Sequence, residues 1–129
     1  MTLLDHAQRL QDLASGPKIL EAVDTYYADD VEIVEGDGQT FHGKETQKGR
    51  IQSWMDSVEE IHDSGVRAIA ANETTSGTGT VLAEVYSDVT FTGVGRQSIE
   101  EVAVQRWEDG KVVHERFYYN MPSGDGAEA

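Results

Sequence analysis

The chain contains no cysteine. That excludes disulfides, thiolate metal sites and a cysteine nucleophile, and it fits a reducing compartment. Long apolar runs are missing too: none approaches the roughly 18 residues that suggest a membrane span. The N-terminus MTLLDHAQRL turns polar too early for a signal-peptide core. The expectation is a soluble, cytoplasmic protein. Positive charge is scarce, with 10 Lys and Arg against 24 Asp and Glu, a formal net charge of −14. Phosphate backbones and anionic bilayers would be repelled, so neither nucleic acid nor membrane is an expected partner. The acids are spread along the chain rather than gathered in a tail. Two origins for such a surface stay open: adaptation to high salt, or an ordinary acidic protein. His6, His42, His62 and His114 show no paired metal-ligand spacing, so no metal site is expected. Gly36-Asp37-Gly38 and Gly93-Val94-Gly95 are too short, and precede the wrong elements, to cradle a phosphate. No cofactor is implied. With no internal repeat and no linker, the 129 residues read as a single domain over 1–120 and a frayed, glycine-rich tail at 121–129.

What is present has two periodicities. Leu3, Leu4, Ala7, Leu10 and Leu13 have helical spacing, predicting a first helix over 2–14. Ser15 is expected to cap a second helix with Pro17 in its first turn and an apolar stripe of Ile19, Leu20, Val23, Tyr26 and Tyr27. A short strand is expected at 31–35, ending on the carboxylate of Glu35. Ile51, Trp54, Met55, Val58 and Ile61 predict a third helix from about Lys44 to His62, stopped by Asp63-Ser64-Gly65. Beyond Gly65 the period becomes two. Strands are expected at 66–75, 79–92, 97–108 and 111–120, joined by Ser76-Gly77, Gly93-Val94-Gly95 and Asp109-Gly110.

This order, with YADDVEIVEGDG, FHGKE and the ending QRWEDGKVVHERFYYN, resembles the nuclear-transport-factor-2-like superfamily, in its branch of SnoaL-like polyketide cyclases and ketosteroid isomerases. The resemblance covers about residues 3–120. It implies an α+β fold in which three N-terminal helices pack on a strongly curved, mostly antiparallel sheet, a cystatin-like cone with a central cavity. The isomerases carry a pattern like YADDATVEDP whose last Asp is the general base; that position is Glu35 here. Both enzyme groups place a second acid where this chain has Ala103. The isomerases' oxyanion tyrosine would fall near Leu10 or Gln11, where no tyrosine stands. The resemblance therefore implies the container, and argues against a steroid isomerase or an aldol-type cyclase.

Strand alternation indicates what lines the container. If Ala103 faces inward, Glu101, Gln105 and Trp107 do too, and on the next strand so do Glu115, Phe117 and Tyr119. His114, Arg116 and Tyr118 then face out. On the strand at 79–92 either Glu84-Tyr86-Asp88 or Ala83-Val85-Ser87-Val89 is inward. Glu35 and Glu115 are the candidate catalytic carboxylates. Trp54, Met55, Glu101, Gln105, Trp107, Phe117 and Tyr119 are candidate binding residues. Each also has a structural reading: Glu35 as a solvated strand end, Glu115 paired with Arg106 or Arg116, Glu101 as a sheet-edge charge, the aromatics as core. Two functions follow. One is a cofactor-independent isomerase, cyclase or lyase moving a proton on a small apolar carbonyl or hydroxyl compound. The other is a non-catalytic ligand-binding or assembly module. The outer sheet face, carrying Val102, Val104 and Tyr118, is expected to pair two copies into a homodimer.

Overall fold

The computed structural model describes residues 1–119; the expected tail at 121–129 lies outside them. Helix α1 (Leu3–Ala14) opens on a capping box in which Thr2 and Asp5 exchange side-chain and backbone hydrogen bonds. It buries Leu3, Ala7 and Leu10. Ser15 closes α1, its N–H bonding to Gln11 O. It does not cap α2 (Ile19–Tyr26), whose N-cap is Lys18, without a side-chain bond. The chain then passes directly into β1 (Tyr27–Val34), turns, forms a short β2 (Thr40–His42) and enters α3 (Lys44–Ser57). Two strands rather than one thus separate α2 from α3.

The remaining strands are β3 (Val58–Thr75), β4 (Thr78–Phe91), β5 (Gly95–Glu108) and β6 (Lys111–Tyr119). They form one six-stranded sheet in the order β2-β1-β6-β5-β4-β3. Every pairing is antiparallel except β1 with β6. No helix among the described residues is long and apolar enough to cross a membrane.

The third helix is shorter than its spacing predicts. It stops at Ser57, and Val58 already pairs with Phe91. The apolar period runs on through Ile61, but Ile61 is exposed. Helix α3 buries only Gln47, so further turns would gain little burial. The same residues as a strand satisfy the backbone groups of β4 along its length. Gly65 therefore ends no helix. It sits in β3 opposite Tyr86, where a Cβ would meet the Tyr86 ring at 3.1–3.4 Å. A side chain there would oblige that ring to give way by a few tenths of an ångström.

Strand β3 has 18 residues and β4 has 14. The difference is taken up at four slips in the pairing, which leave Glu59, His62, Arg67 and Thr74 without a partner. Each extra residue bends its strand and raises the local twist. The sheet accordingly curls around the helices, with α1 lying on β3 and β4 and α3 across β1 and β2. The buried core gathers Leu3, Ala7, Leu10, Val23, Tyr26, Val31, Ile33, Val81, Trp107 and Val112. On β4 the inward set is the apolar one: Val81, Ala83 and Val89 are buried.

Candidate active site

The concave face of β5 and β6 carries the polar groups that alternation placed there. Gln105 lies opposite Glu115, Ala103 opposite Phe117, and Glu101 opposite Tyr119. Ala103, Gln105, Trp107 and Glu115 are buried. At the deep end these side chains form a directed chain of hydrogen bonds. The Trp107 indole N–H donates to Gln105 Oε1 at 3.0 Å. An indole nitrogen can only donate, so this bond sets which way the Gln105 amide points. Gln105 Nε2 then donates to Glu115 Oε2 at 2.6 Å, and Tyr27 Oη donates to Glu115 Oε1 at 2.5 Å. Tyr27 reaches Glu115 because β1 lies beside β6, with Tyr27 in register with Val112.

Burial pushes the Glu115 carboxyl up, against the pull of its two donors, and the charge of Glu35 adds to the rise. Burial likewise holds the Tyr27 phenol well above its ordinary value, reinforced by Glu115 beside it. Tyr27 is thus a fixed donor and Glu115 a doubly held acceptor.

The mouth is built from other elements. Glu35 follows the last residue of β1. Arg50 of α3 pairs with it at 2.8 Å and donates to Gln47 Oε1 at 2.8 Å. The guanidinium is stacked over Phe41 of β2, 3.7 Å from the ring centroid. Ring face and two acceptors hold its plane in place. Tyr119 Oη lies 3.4 Å from Glu35 Oε1, at the far edge of hydrogen-bond distance. Its ring rests on Gly36, where a Cβ would come within 2.7 Å of it. That glycine is what lets Tyr119 lie next to Glu35. Burial raises the Tyr119 phenol, and Glu35 and then Asp37 raise it further.

Glu101 is the third carboxylate. It is partly buried and makes no side-chain hydrogen bond among the described residues. Burial, then Glu35, then Glu115 push it up to about 7. Glu101, Tyr119 and Gly36 border a groove of about 350 Å³ whose other walls, Glu84, Glu100, Val102 and Tyr118, belong to the outer face of the sheet. The groove therefore lies at the sheet rim, and Trp107, Gln105 and Glu115 do not line it.

Of the residues expected from sequence, Glu35, Glu101, Gln105, Glu115 and Tyr119 converge on this face, backed by Trp107 and Phe117. Trp54 is packed edge-on against Phe91, ring centroids 6.1 Å apart, and Met55 is half-buried on the same helix. Sequence reading missed Tyr27, Phe41, Gln47 and Arg50. Arg50 carried a signal: it lies one turn after Gln47 and next to the Ile51–Trp54 stripe. A charged residue there points to a partner inside the fold. No trio of His, Cys, Asp or Glu among the described residues is placed to hold a metal ion.

A model of the SnoaL-like domain matches residues 1–119. The chain belongs to the SnoaL-like domain family. Solved relatives agree. A protein of Mesorhizobium loti assigned as a SnoaL-like polyketide cyclase is 28% identical, with 92% of this chain and 100% of that one covered and a TM-score of 0.78. A Catenulispora acidiphila protein of ketosteroid isomerase-like fold, solved with trimethylamine, is 17% identical over 95% of this chain and 90% of its own, TM-score 0.72. An LEH-like epoxide hydrolase of M. tuberculosis is 16% identical over 92% and 82%, TM-score 0.70. The last two establish likeness of fold alone. No curated protein matches the chain. SnoaL-like chains form a small-molecule-binding family.

Proposed function

We propose that this SnoaL-like protein is a cofactor-independent acid–base enzyme, of isomerase, cyclase or lyase type, acting on a small and largely apolar carbonyl or hydroxyl compound. The observation that supports it is the convergence of Glu35, Glu101 and Glu115 on one aromatic-lined concave face. Glu35 is the proton acceptor. Arg50 pairs with it and Tyr119 approaches it, so its carboxylate is aimed and shielded. Glu115, held by Tyr27 and Gln105, is the inner carboxylate that keeps the base of the site polar. Trp107 and Phe117 supply apolar wall.

The probe is cyclohex-3-en-1-one, whose double bond shifts into conjugation when a proton moves from one carbon to another. The wild type should accelerate the shift. Glu35→Gln keeps the size of the side chain and removes its basicity, so it should abolish the acceleration while the melting curve is unchanged. Ala103 favours a second reading, because the family's usual second acid is missing there. A wild type that leaves the enone untouched yet binds it would establish a ligand-binding module instead.

The active unit is proposed to be a homodimer joined through the outer sheet face. Leu82 and Tyr118 are 47% and 52% exposed on that face, with Val102 and Val104 between them. A sedimenting species of 14.2 kDa at micromolar concentration would exclude the dimer.

A further inference from the structure

We propose that the groove between α1 and β3 binds a small uncharged molecule carrying an amide on an apolar body, and that the Gln11 side chain is its hydrogen-bonding partner. The proposal stands apart from the proton-transfer reading above, since it uses none of Glu35, Glu101 or Glu115.

The observation behind it is a polar side chain in an apolar position. The buried residues of α1 are Leu3, Ala7, Leu10 and Gln11. Gln11 is only 9% exposed, and its side-chain amide makes no hydrogen bond to another group among the described residues. Neither end of the amide is sealed off as an orphaned atom, as His6 Nδ1 is. The amide instead borders a groove of about 300 Å³, shared with Gln8, Asp12, Val66 and Ile69. An amide so nearly buried and unpaired lowers the stability of the fold. Leucine, of similar size, would fill the same place without that penalty. The donor and acceptor that the fold leaves unused thus face space that a ligand can occupy.

The sheet supplies the opposite wall. Val66 lies across from Val85, and Ile69 across from Ala83, whose own partners on β5 are Glu101 and Ala103. Both therefore face the concave side. They are an odd number of residues apart, so strict alternation would send them to opposite faces. The slip at Arg67 brings them to the same one. Helix α1 lies over β3 and β4 and closes the groove from above. The floor on β3 is two strands from Glu101 and Ala103, about 10 Å at the usual strand spacing. A ligand here is held away from the carboxylates near β1 and β6.

The chemistry of the lining selects the ligand class. A primary amide offers an N–H and a carbonyl oxygen side by side. Its complement carries the same pair in reverse, as a carboxamide or a lactam does. A ketone would engage the N–H and leave the carbonyl oxygen unpaired. An ammonium would do the opposite. An anion is opposed by Asp12 on the rim and by the net charge of −14. Val66 and Ile69 offer an apolar surface for the rest of the molecule.

The test titrates benzamide into full-length wild type, Gln11→Leu and Gln11→Met, with benzoate as the charged analogue of the same shape. In a nitrogen–proton correlation spectrum the Gln11 side-chain signals are assigned by their absence from both variants. Benzamide should shift them with a Kd on the order of 1 mM, as expected for so small a ligand. Benzoate should leave them in place. Both variants should bind benzamide about tenfold more weakly, the worth of one good hydrogen-bonded contact. Without ligand, both should melt at a higher temperature than wild type, because the unpaired amide is gone. The proposal is overturned if benzamide leaves the Gln11 signals unmoved, or if benzoate shifts them equally. It is also overturned if the variants bind benzamide as tightly as wild type does. Variants that melt lower than wild type would give Gln11 a structural role instead and overturn it too.

Discussion

Replacing Glu101 by Gln should make the protein more resistant to urea, and increasingly so as pH rises. The carboxyl shifts from 4.5 to about 7 on folding. Below the unfolded value it is protonated in both states and contributes no penalty. As pH rises, the unfolded chain ionises first while the folded chain keeps its proton, so folding loses stability through this window until the folded group has titrated. The sign is opposite to that of a salt-bridged carboxylate. A shift of this size corresponds to about 3 kcal/mol at ~1.4 kcal/mol per pH unit. Partial exposure and solvent screening reduce the expectation to ~1–2 kcal/mol. Glutamine has no such titration, and removing the charge also relieves Glu35 and Glu115, which acts in the same direction. Urea melts of wild type and variant at about pH 5 and about pH 8 read the effect as a widening gap in unfolding free energy. A gap that stays constant or narrows with pH would show that Glu101 is not desolvated by this site.

Other perturbations address separate parts of the fold. Gly36→Ala places a Cβ 2.7 Å from the Tyr119 ring; it should cost about 1–3 kcal/mol and change the near-ultraviolet dichroism as Tyr119 is expelled. Tyr27→Phe leaves Glu115 Oε1 without its donor; unfolding should become easier by roughly 1–3 kcal/mol. The deficit should grow with pH, because the lost bond favours the charged carboxylate. With 24 acidic against 10 basic residues, added KCl should raise the melting temperature more than it does for a near-neutral control if the surface is salt-adapted. A flat response identifies an ordinary acidic surface.

The sequence made the inward faces of β5 and β6 legible because alternation is a strictly local rule: once Ala103 is placed inside, Glu101, Gln105 and Glu115 follow. The end of α3 was not legible. Val58 and Ile61 fit a helical stripe and a strand equally, and only the length of β4 opposite them decides. Gly65 misled for a related reason, since a glycine after polar residues looks like a helix stop until Tyr86 is seen lying over it. The mouth depended on contacts distant in sequence. Arg50 pairs with Glu35, 15 residues away, and Tyr27 with Glu115, 88 away. Glu101 shows no unusual local pattern at all; its character comes from the company of Glu35 and Glu115 in the folded chain.

The slips along β3 also determine how the molecule behaves toward its own kind. At one side the sheet ends in the three residues of β2, at the other in the 18 of β3, a rim unpaired among the described residues and long enough to template another strand. A straight strand approaching that rim would lose step at Glu59, His62, Arg67 and Thr74. The longest run without a slip is Ala68–Glu73. Glu59, Glu60, Asp63 and Glu73 add exposed negative charge that an identical chain would bring against itself. The curvature that shapes the concave face thereby also makes the long edge a poor seed for strand-by-strand aggregation, a protection that straightening β3 by deleting its unpaired residues would remove.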